Sequence, residues 1–212
     1  MTDARVTLKR LPELESLRGL MSLWVLVGHV LLTFDGSGVI WTVLTQNGRA
    51  VDIFMALIGF AIFFLLSQKP SSYRDYIIPR FFRLFPAYII AFFASVLLTP
   101  MSMNVLTSIP DLSARNIGRM QILQSSMDHT LTHTLAHLTM LHGLVPDRLL
   151  PFSDYAFLGQ AWSISLEWQF YLIAPIFFYL TRGSHLAFRV GAAVVLAALL
   201  HKSRFLFGQA YT

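Results

Sequence analysis

Cysteine is absent from this 212-residue chain, and charged residues make up only 13% of it. Without cysteine, disulfide scaffolds, thiolate zinc sites and cysteine nucleophiles are excluded. The shortage of charge is equally informative, because a soluble domain usually carries about a quarter charged residues. Hydrophobic residues reach 55% and phenylalanine alone occurs 18 times. The few charged side chains cannot cover that apolar load in water, so the composition predicts a membrane protein with the lipid bilayer as its partner.

Five stretches nearly free of charge predict an all-α polytopic helical bundle with about five transmembrane spans, since crossing about 30 Å of hydrocarbon takes roughly 20 apolar residues. These spans are predicted near residues 17–34, 51–67, 84–100, 160–181 and 189–207. Residues 101–154 are predicted to form an external loop with a surface helix. The whole chain, residues 1–212, is interpreted as a single membrane domain.

The basic residues orient these spans. The 16 Lys and Arg outnumber the 11 Asp and Glu by five, and such an excess in a membrane protein marks cytoplasmic loops rather than nucleic-acid binding. If the spans alternate, one side receives most of the basic residues, which are Arg5, Lys9, Arg10, Arg18, Lys69, Arg74, Arg80, Arg83, Arg182 and Arg189. The positive-inside rule makes that side, and the N-terminus with it, cytoplasmic.

Two ionisable residues lie within the first predicted span. Arg18 and His29 are eleven positions apart, so on a helix they share one face and are about 16 Å apart along the axis. Arg18 is then at the cytoplasmic interface and His29 near mid-membrane depth. Ionisable groups in spans are costly and tend to line a functional cavity. The alternative is a snorkelling arginine with a histidine satisfied by a neighbouring helix.

Arg80 and Arg83 stand between Pro79 and Pro86 at the start of the third span. Because they are three residues apart, they point to nearly the same side of a helix. Two guanidiniums on one face can bind a phosphate bidentately. The alternative is that both residues only set the membrane topology.

A further group of polar and aromatic residues opens the fourth span, with Ser163, Glu167 and Tyr171 one turn apart and Trp162 beside them. A carboxylate in an otherwise uncharged run needs a partner. A structural Glu167 and a catalytic Glu167 are equally compatible with the sequence.

The histidines at 129, 133 and 137 recur on one helix face, with another at 142. Although this spacing is compatible with zinc ligands, no carboxylate accompanies them at a matching spacing. We therefore interpret them as the polar face of a surface helix and predict no metal.

Four segments together resemble a known family, the acyltransferase family 3 of integral-membrane O-acyltransferases. They are residues 14–29 with an Arg-x10-His spacing, residues 50–60, residues 80–88 with an Arg-x-x-Arg spacing, and residues 162–171 followed by Pro175. They occur in the family's order. The second segment departs from the family pattern, because Ile58 stands where the family usually has serine.

The resemblance implies transfer of an acyl group, commonly acetyl from acetyl-CoA, to a hydroxyl of a surface polysaccharide, lipopolysaccharide or other glycan. It implies an acyltransferase for groups other than amino-acyl groups, located in the bacterial inner membrane. His29 and Glu167 would be catalytic, with His29 the general base and Glu167 orienting His29 or pairing with an arginine. Acyl-CoA, as co-substrate, would bind Arg18, Arg80 and Arg83. Trp162 and Tyr171 would bind substrate.

Family members typically have about ten spans, whereas at roughly 20 residues per span this chain has room for about five. The chain thus resembles the family's N-terminal half. Two other functions are compatible with the sequence. One is a truncated, inactive remnant, and the other is a transporter or flippase in which Arg18, His29 and Glu167 form a proton or substrate path.

Overall fold

The structure, a computed structural model, describes residues 12–32, 34, 36–68 and 72–181. All regular secondary structure in these residues is helical, which confirms the predicted all-α class. The chain divides into two compact units, residues 1–72 and 73–212. The predicted fifth span near residues 189–207 lies outside the described residues.

The first unit contains three helices, α1 (Pro12–Leu31), α2 (Val39–Leu44) and α3 (Asn47–Gln68). Helix α1 packs against both others. The Trp24 indole donates a hydrogen bond to the Leu44 carbonyl, 3.1 Å away, and thereby ties α1 to the end of α2. Helix α3 buries a stripe of aliphatic side chains, Val51, Ile58, Ile62 and Leu66, with the spacing of one helix face.

The second unit contains α4 (Tyr73–Thr107), α5 (Ala114–Asp128), α6 (Thr130–Leu138), a 3-10 turn (His142–Leu144) and α7 (Ala161–Thr181). Helix α4 packs against α5 and α7, and the 3-10 turn packs against α6 and α7. Ser113 caps α5 by accepting the Asn116 backbone N–H at 3.3 Å, as short hydroxyl side chains do at helix starts.

Three helices of the described residues are long and apolar enough to cross a membrane, namely Glu13–Leu31, Asn47–Ser67 and Tyr73–Thr107. They overlap the first three predicted spans, and α7, which is not one of these three helices, lies at the position of the predicted fourth. Helix α4 has 35 residues and contains three prolines. At 1.5 Å per residue it is about 52 Å long, so it extends well beyond the predicted 84–100 at both ends. Many of its apolar side chains are exposed, including Ile90, Leu97 and Met101, as expected of a helix facing lipid.

Candidate functional site

The first unit presents Arg18 and His29 on one continuous helix, α1. Arg18 is half-buried, and its guanidinium carbon lies 5.3 Å from the centre of the Phe54 ring on α3. This is the geometry of a cation–π contact. His29 is exposed on the first unit. Because they are eleven positions apart, the helix keeps both side chains on one face, about 16 Å apart along the axis.

Gly28, the residue before His29, allows the close approach of α1 to the α2–α3 connection. A side chain at this position would overlap the Asn47 side-chain oxygen and would come within 2.6 Å of the Leu44 carbonyl oxygen. Gly28 itself is buried. The glycine therefore fixes how α1, and with it His29, packs within the first unit.

In the second unit, the Arg80 side chain extends from α4 toward α7. Its Nη1 donates to the Tyr76 carbonyl oxygen at 2.7 Å. Its guanidinium carbon lies 3.7 Å from the centre of the Tyr76 ring and 5.6 Å from that of the Tyr171 ring. Arg80 is half-buried, whereas Arg83, one turn further on, is exposed. The two arginines that the sequence grouped together thus have different environments.

Glu167 is 7% exposed, and its Oε1 accepts a hydrogen bond from the Tyr171 hydroxyl. Of the two partners that the sequence suggested for this carboxylate, His29 and an arginine, neither makes this hydrogen bond. The Tyr171 ring also faces Arg80, so the tyrosine lies beside both groups. Sequence reasoning had assigned Tyr171 to substrate, whereas the structure gives its hydroxyl to Glu167.

Two contacts flank this arrangement and hold α4 and α7 antiparallel. The Tyr73 hydroxyl donates to the Leu172 carbonyl oxygen at 3.1 Å, and the rings of Phe81 and Trp168 meet edge to face with centres 5.8 Å apart. Residues later in α4 therefore contact residues earlier in α7. Trp162, in the first turn of α7, is half-buried.

One polar group in this unit was missed by the sequence reasoning. The Ser165 hydroxyl oxygen accepts the Gly143 backbone N–H and the Gln169 side-chain amide, both at 3.1 Å. It fixes the 3-10 turn against α7. Its position one turn from Gln169, within the same motif as Glu167, was the available signal.

The structure contradicts the interpretation of the histidines as a polar surface face. His133, His137 and His142 are all 0% exposed, and only His129 is exposed among these four. The His137 and His142 rings stack with centres 3.8 Å apart. The prediction was wrong because a helix face that is polar in sequence can be buried when aromatic rings, such as that of Phe92, cover it.

The Tyr88 hydroxyl ties α4 to the end of α6. It lies 3.2 Å from the His137 carbonyl oxygen and 2.8 Å from His137 Nδ1. The hydroxyl can donate to the carbonyl and accept from Nδ1–H, or donate to an unprotonated Nδ1, so both tautomers of His137 fit these contacts.

Burial lowers the pKa of all three histidines, because it disfavours the charged imidazolium. The pKa of His133 and that of His142 fall to about 4, and the pKa of His137 falls further. Burial acts in the opposite direction on Asp154, whose pKa it raises to about 7. Near pH 6.5 the three buried histidines are therefore neutral, and Asp154 is partly ionised.

We expect the free energy of unfolding to fall as the pH is lowered from 6.5 to 4. In this range the unfolded histidines, with a pKa of about 6.5, bind three protons that the folded ones reject, and folded Asp154 binds one that its unfolded form lacks. The unfolded state therefore binds a net two protons more than the folded state. Each of them lowers the free energy of unfolding by up to about 1.4 kcal/mol per pH unit. Denaturation of the detergent-purified protein, followed by tryptophan fluorescence at pH 7, 6 and 5, measures the slope.

His142→Phe should flatten this slope by about one proton, because phenylalanine can stack on His137 but cannot be protonated. An unfolding midpoint that does not change between pH 7 and pH 5 would contradict the prediction.

Within the described residues, no group of three or more His, Asp or Glu side chains is arranged to hold a metal ion. The stacked rings explain this for His137 and His142, because parallel imidazoles do not point their nitrogens at one ion.

Comparison with known proteins gives one result. A family model described as an acyltransferase domain matches residues 11–206, which is essentially the whole chain. No curated protein and no solved structure matches.

Proposed function

Since the chain belongs to the acyltransferase domain family, we propose that it transfers an acyl group, most simply acetyl, from acyl-CoA to a hydroxyl of a surface polysaccharide or other glycan. Membership and the apolar helices make it a membrane acyltransferase. The observation that carries the finer proposal is the placement of Arg18 and His29 on one face of α1. Arg18, at one end of that face, can bind an anion, and His29, at the other end, can transfer a proton.

Three arginines are proposed to bind the donor, Arg18 in the first unit and Arg80 and Arg83 in the second. Acyl-CoA carries several phosphates, and guanidinium groups match phosphate oxygens through paired N–H donors. By the positive-inside rule, the basic residues around these arginines belong on the cytoplasmic side, where CoA is found. This supports an inner-membrane protein with a cytoplasmic N-terminus.

The proposed base is His29. Its neutral imidazole takes the proton of the acceptor hydroxyl while the hydroxyl oxygen attacks the thioester carbonyl carbon. The new C–O bond forms, the C–S bond breaks, and the imidazolium returns the proton to the departing CoA sulfur. Glycan ester and free CoA are the products, and the histidine ends neutral.

The remaining predicted site residues lie on α7. We assign Glu167 to the donor end of the site, because its carboxylate holds Tyr171 and Tyr171 faces Arg80. Trp162, half-buried in the first turn, offers a flat apolar surface on which a sugar ring can pack. The acceptor in this proposal is a lipid-linked or surface glycan.

We expect Arg80→Ala and Arg83→Ala to weaken acyl-CoA binding more than they slow transfer from a bound donor. The predicted topology puts both residues at the cytoplasmic end of their span, where they meet the phosphates of the donor rather than its thioester. Acyl-CoA affinity of the purified variants, combined with single-turnover rates at saturating donor, separates the two effects.

Lysine variants distinguish phosphate binding from a topology signal. An ammonium lacks the guanidinium fork, so Arg83→Lys should only partly restore affinity, whereas the positive-inside rule treats both residues alike. Arg74→Ala, an exposed arginine in the first turn of α4, is the matched control. Wild-type affinity in all Arg80 and Arg83 variants would refute the phosphate-binding role.

A further inference from the structure

Arg80 has a fixed environment that its neighbour Arg83 lacks. The guanidinium stacks on Tyr76, with its carbon 3.7 Å from the ring centre, and the Tyr171 ring lies on α7 at 5.6 Å. Both tyrosines are 2% exposed. We name this pair, Tyr76 and Tyr171, the tyrosine bracket.

Each half of the bracket comes from a pair of residues one helical turn apart. Tyr76 and Arg80 form such a pair on α4, and Glu167 and Tyr171 form another on α7. Antiparallel packing of the two helices brings the pairs together. Since both halves lie on helices rather than loops, the position of the guanidinium is well defined.

The two tyrosines contribute differently. The Tyr171 hydroxyl donates to the Glu167 carboxylate, which adds electron density to the ring and strengthens its attraction for a cation. The Tyr76 hydroxyl is buried and has no hydrogen-bond partner among the described residues. Tyr76 therefore acts through the face of its ring.

We propose that Tyr76 and Tyr171 are positioning residues that hold the Arg80 guanidinium ready for a phosphate of the acyl donor, an inference that rests on the proposed function. A guanidinium has five N–H donors, and the bond from Nη1 to the Tyr76 carbonyl uses one of them. Stacking restricts the rotation of the side chain, so less freedom is lost when an anion binds. Arg80 thus contributes N–H donors in a fixed orientation, whereas exposed Arg83 contributes positive charge.

The first test compares two substitutions of Tyr76. Tyr76→Leu removes the ring face and should weaken acyl-CoA binding by about 3- to 30-fold, with the single-turnover rate at saturating donor unchanged. Tyr76→Phe keeps the ring and removes only an unpartnered hydroxyl, so affinity should stay within about twofold. Phe81→Leu, which removes the edge-to-face contact with Trp168 between α4 and α7, is the control for helix packing and should retain affinity. Equal affinity in wild type and Tyr76→Leu would overturn the proposal.

The second test needs no acyl-CoA. Phenylglyoxal labels arginine, and mass spectrometry gives the rate at each position. In the wild type Arg80 should react several-fold more slowly than Arg83, and inorganic pyrophosphate should slow the labelling of Arg80 further. In Tyr76→Leu, Arg80 should react as fast as Arg83 and should no longer be protected by pyrophosphate. Equal labelling of the two arginines, or no protection by pyrophosphate, would overturn the bracket. A wild type that binds no acyl-CoA contradicts the proposed function, and the labelling rates then decide the bracket independently.

Discussion

His29→Ala should lower the rate of acyl transfer by about 10²- to 10⁴-fold, the usual contribution of a general base. The substitution removes the only group that we assign to the proton of the acceptor hydroxyl. It should leave acyl-CoA affinity nearly unchanged, because Arg18, the donor-binding arginine proposed on the same helix, lies about 16 Å away along the axis. Glycan acylation in cells that make the full-length protein can be measured by mass spectrometry, with protein level determined in parallel.

His129→Ala is the matched control, since His129 is also an exposed histidine but lies at the end of α5, outside the proposed site. It should keep wild-type acylation. Near-normal acylation by His29→Ala at normal protein level would reduce His29 to a packing residue and leave the reaction without its base.

Gly28→Ala should destabilise the first unit by about 1–3 kcal/mol, the usual cost of an added methyl group in a packed interior. The new methyl group would overlap the Asn47 side chain and come within 2.6 Å of the Leu44 carbonyl oxygen. The backbone oxygen cannot rotate away, so α1 must move from the α2–α3 connection. The thermal midpoint of the detergent-purified protein measures the loss.

Gly19→Ala on the same helix is the internal comparison. A methyl group there would meet no atom within 4 Å, and alanine stabilises a helix interior by up to about 1 kcal/mol relative to glycine. The two substitutions are chemically identical and should have opposite signs. A lowered midpoint for both, or for neither, would show that α1 does not pack as described.

The local features of this protein could be predicted from its sequence. Charge-free runs of about 20 residues predict membrane helices because the bilayer has a fixed thickness. Helical periodicity likewise placed Arg18 and His29 on one face of α1, and it spaced Glu167 and Tyr171 by one turn. Four segments in the family's order, among them those with the Arg-x10-His and Arg-x-x-Arg spacings, indicated the family, whose model covers residues 11–206.

Tertiary structure decided which side chains have partners, because that depends on which helices pack together. The sequence grouped Arg80 with Arg83, whereas packing of α4 against α7 separates them by placing only Arg80 beside Tyr171. Glu167 is buried and bonds to Tyr171 of its own helix rather than to an arginine. Burial of His137 under aromatic rings could not be predicted either, since helical periodicity shows which residues share a face but not what covers it.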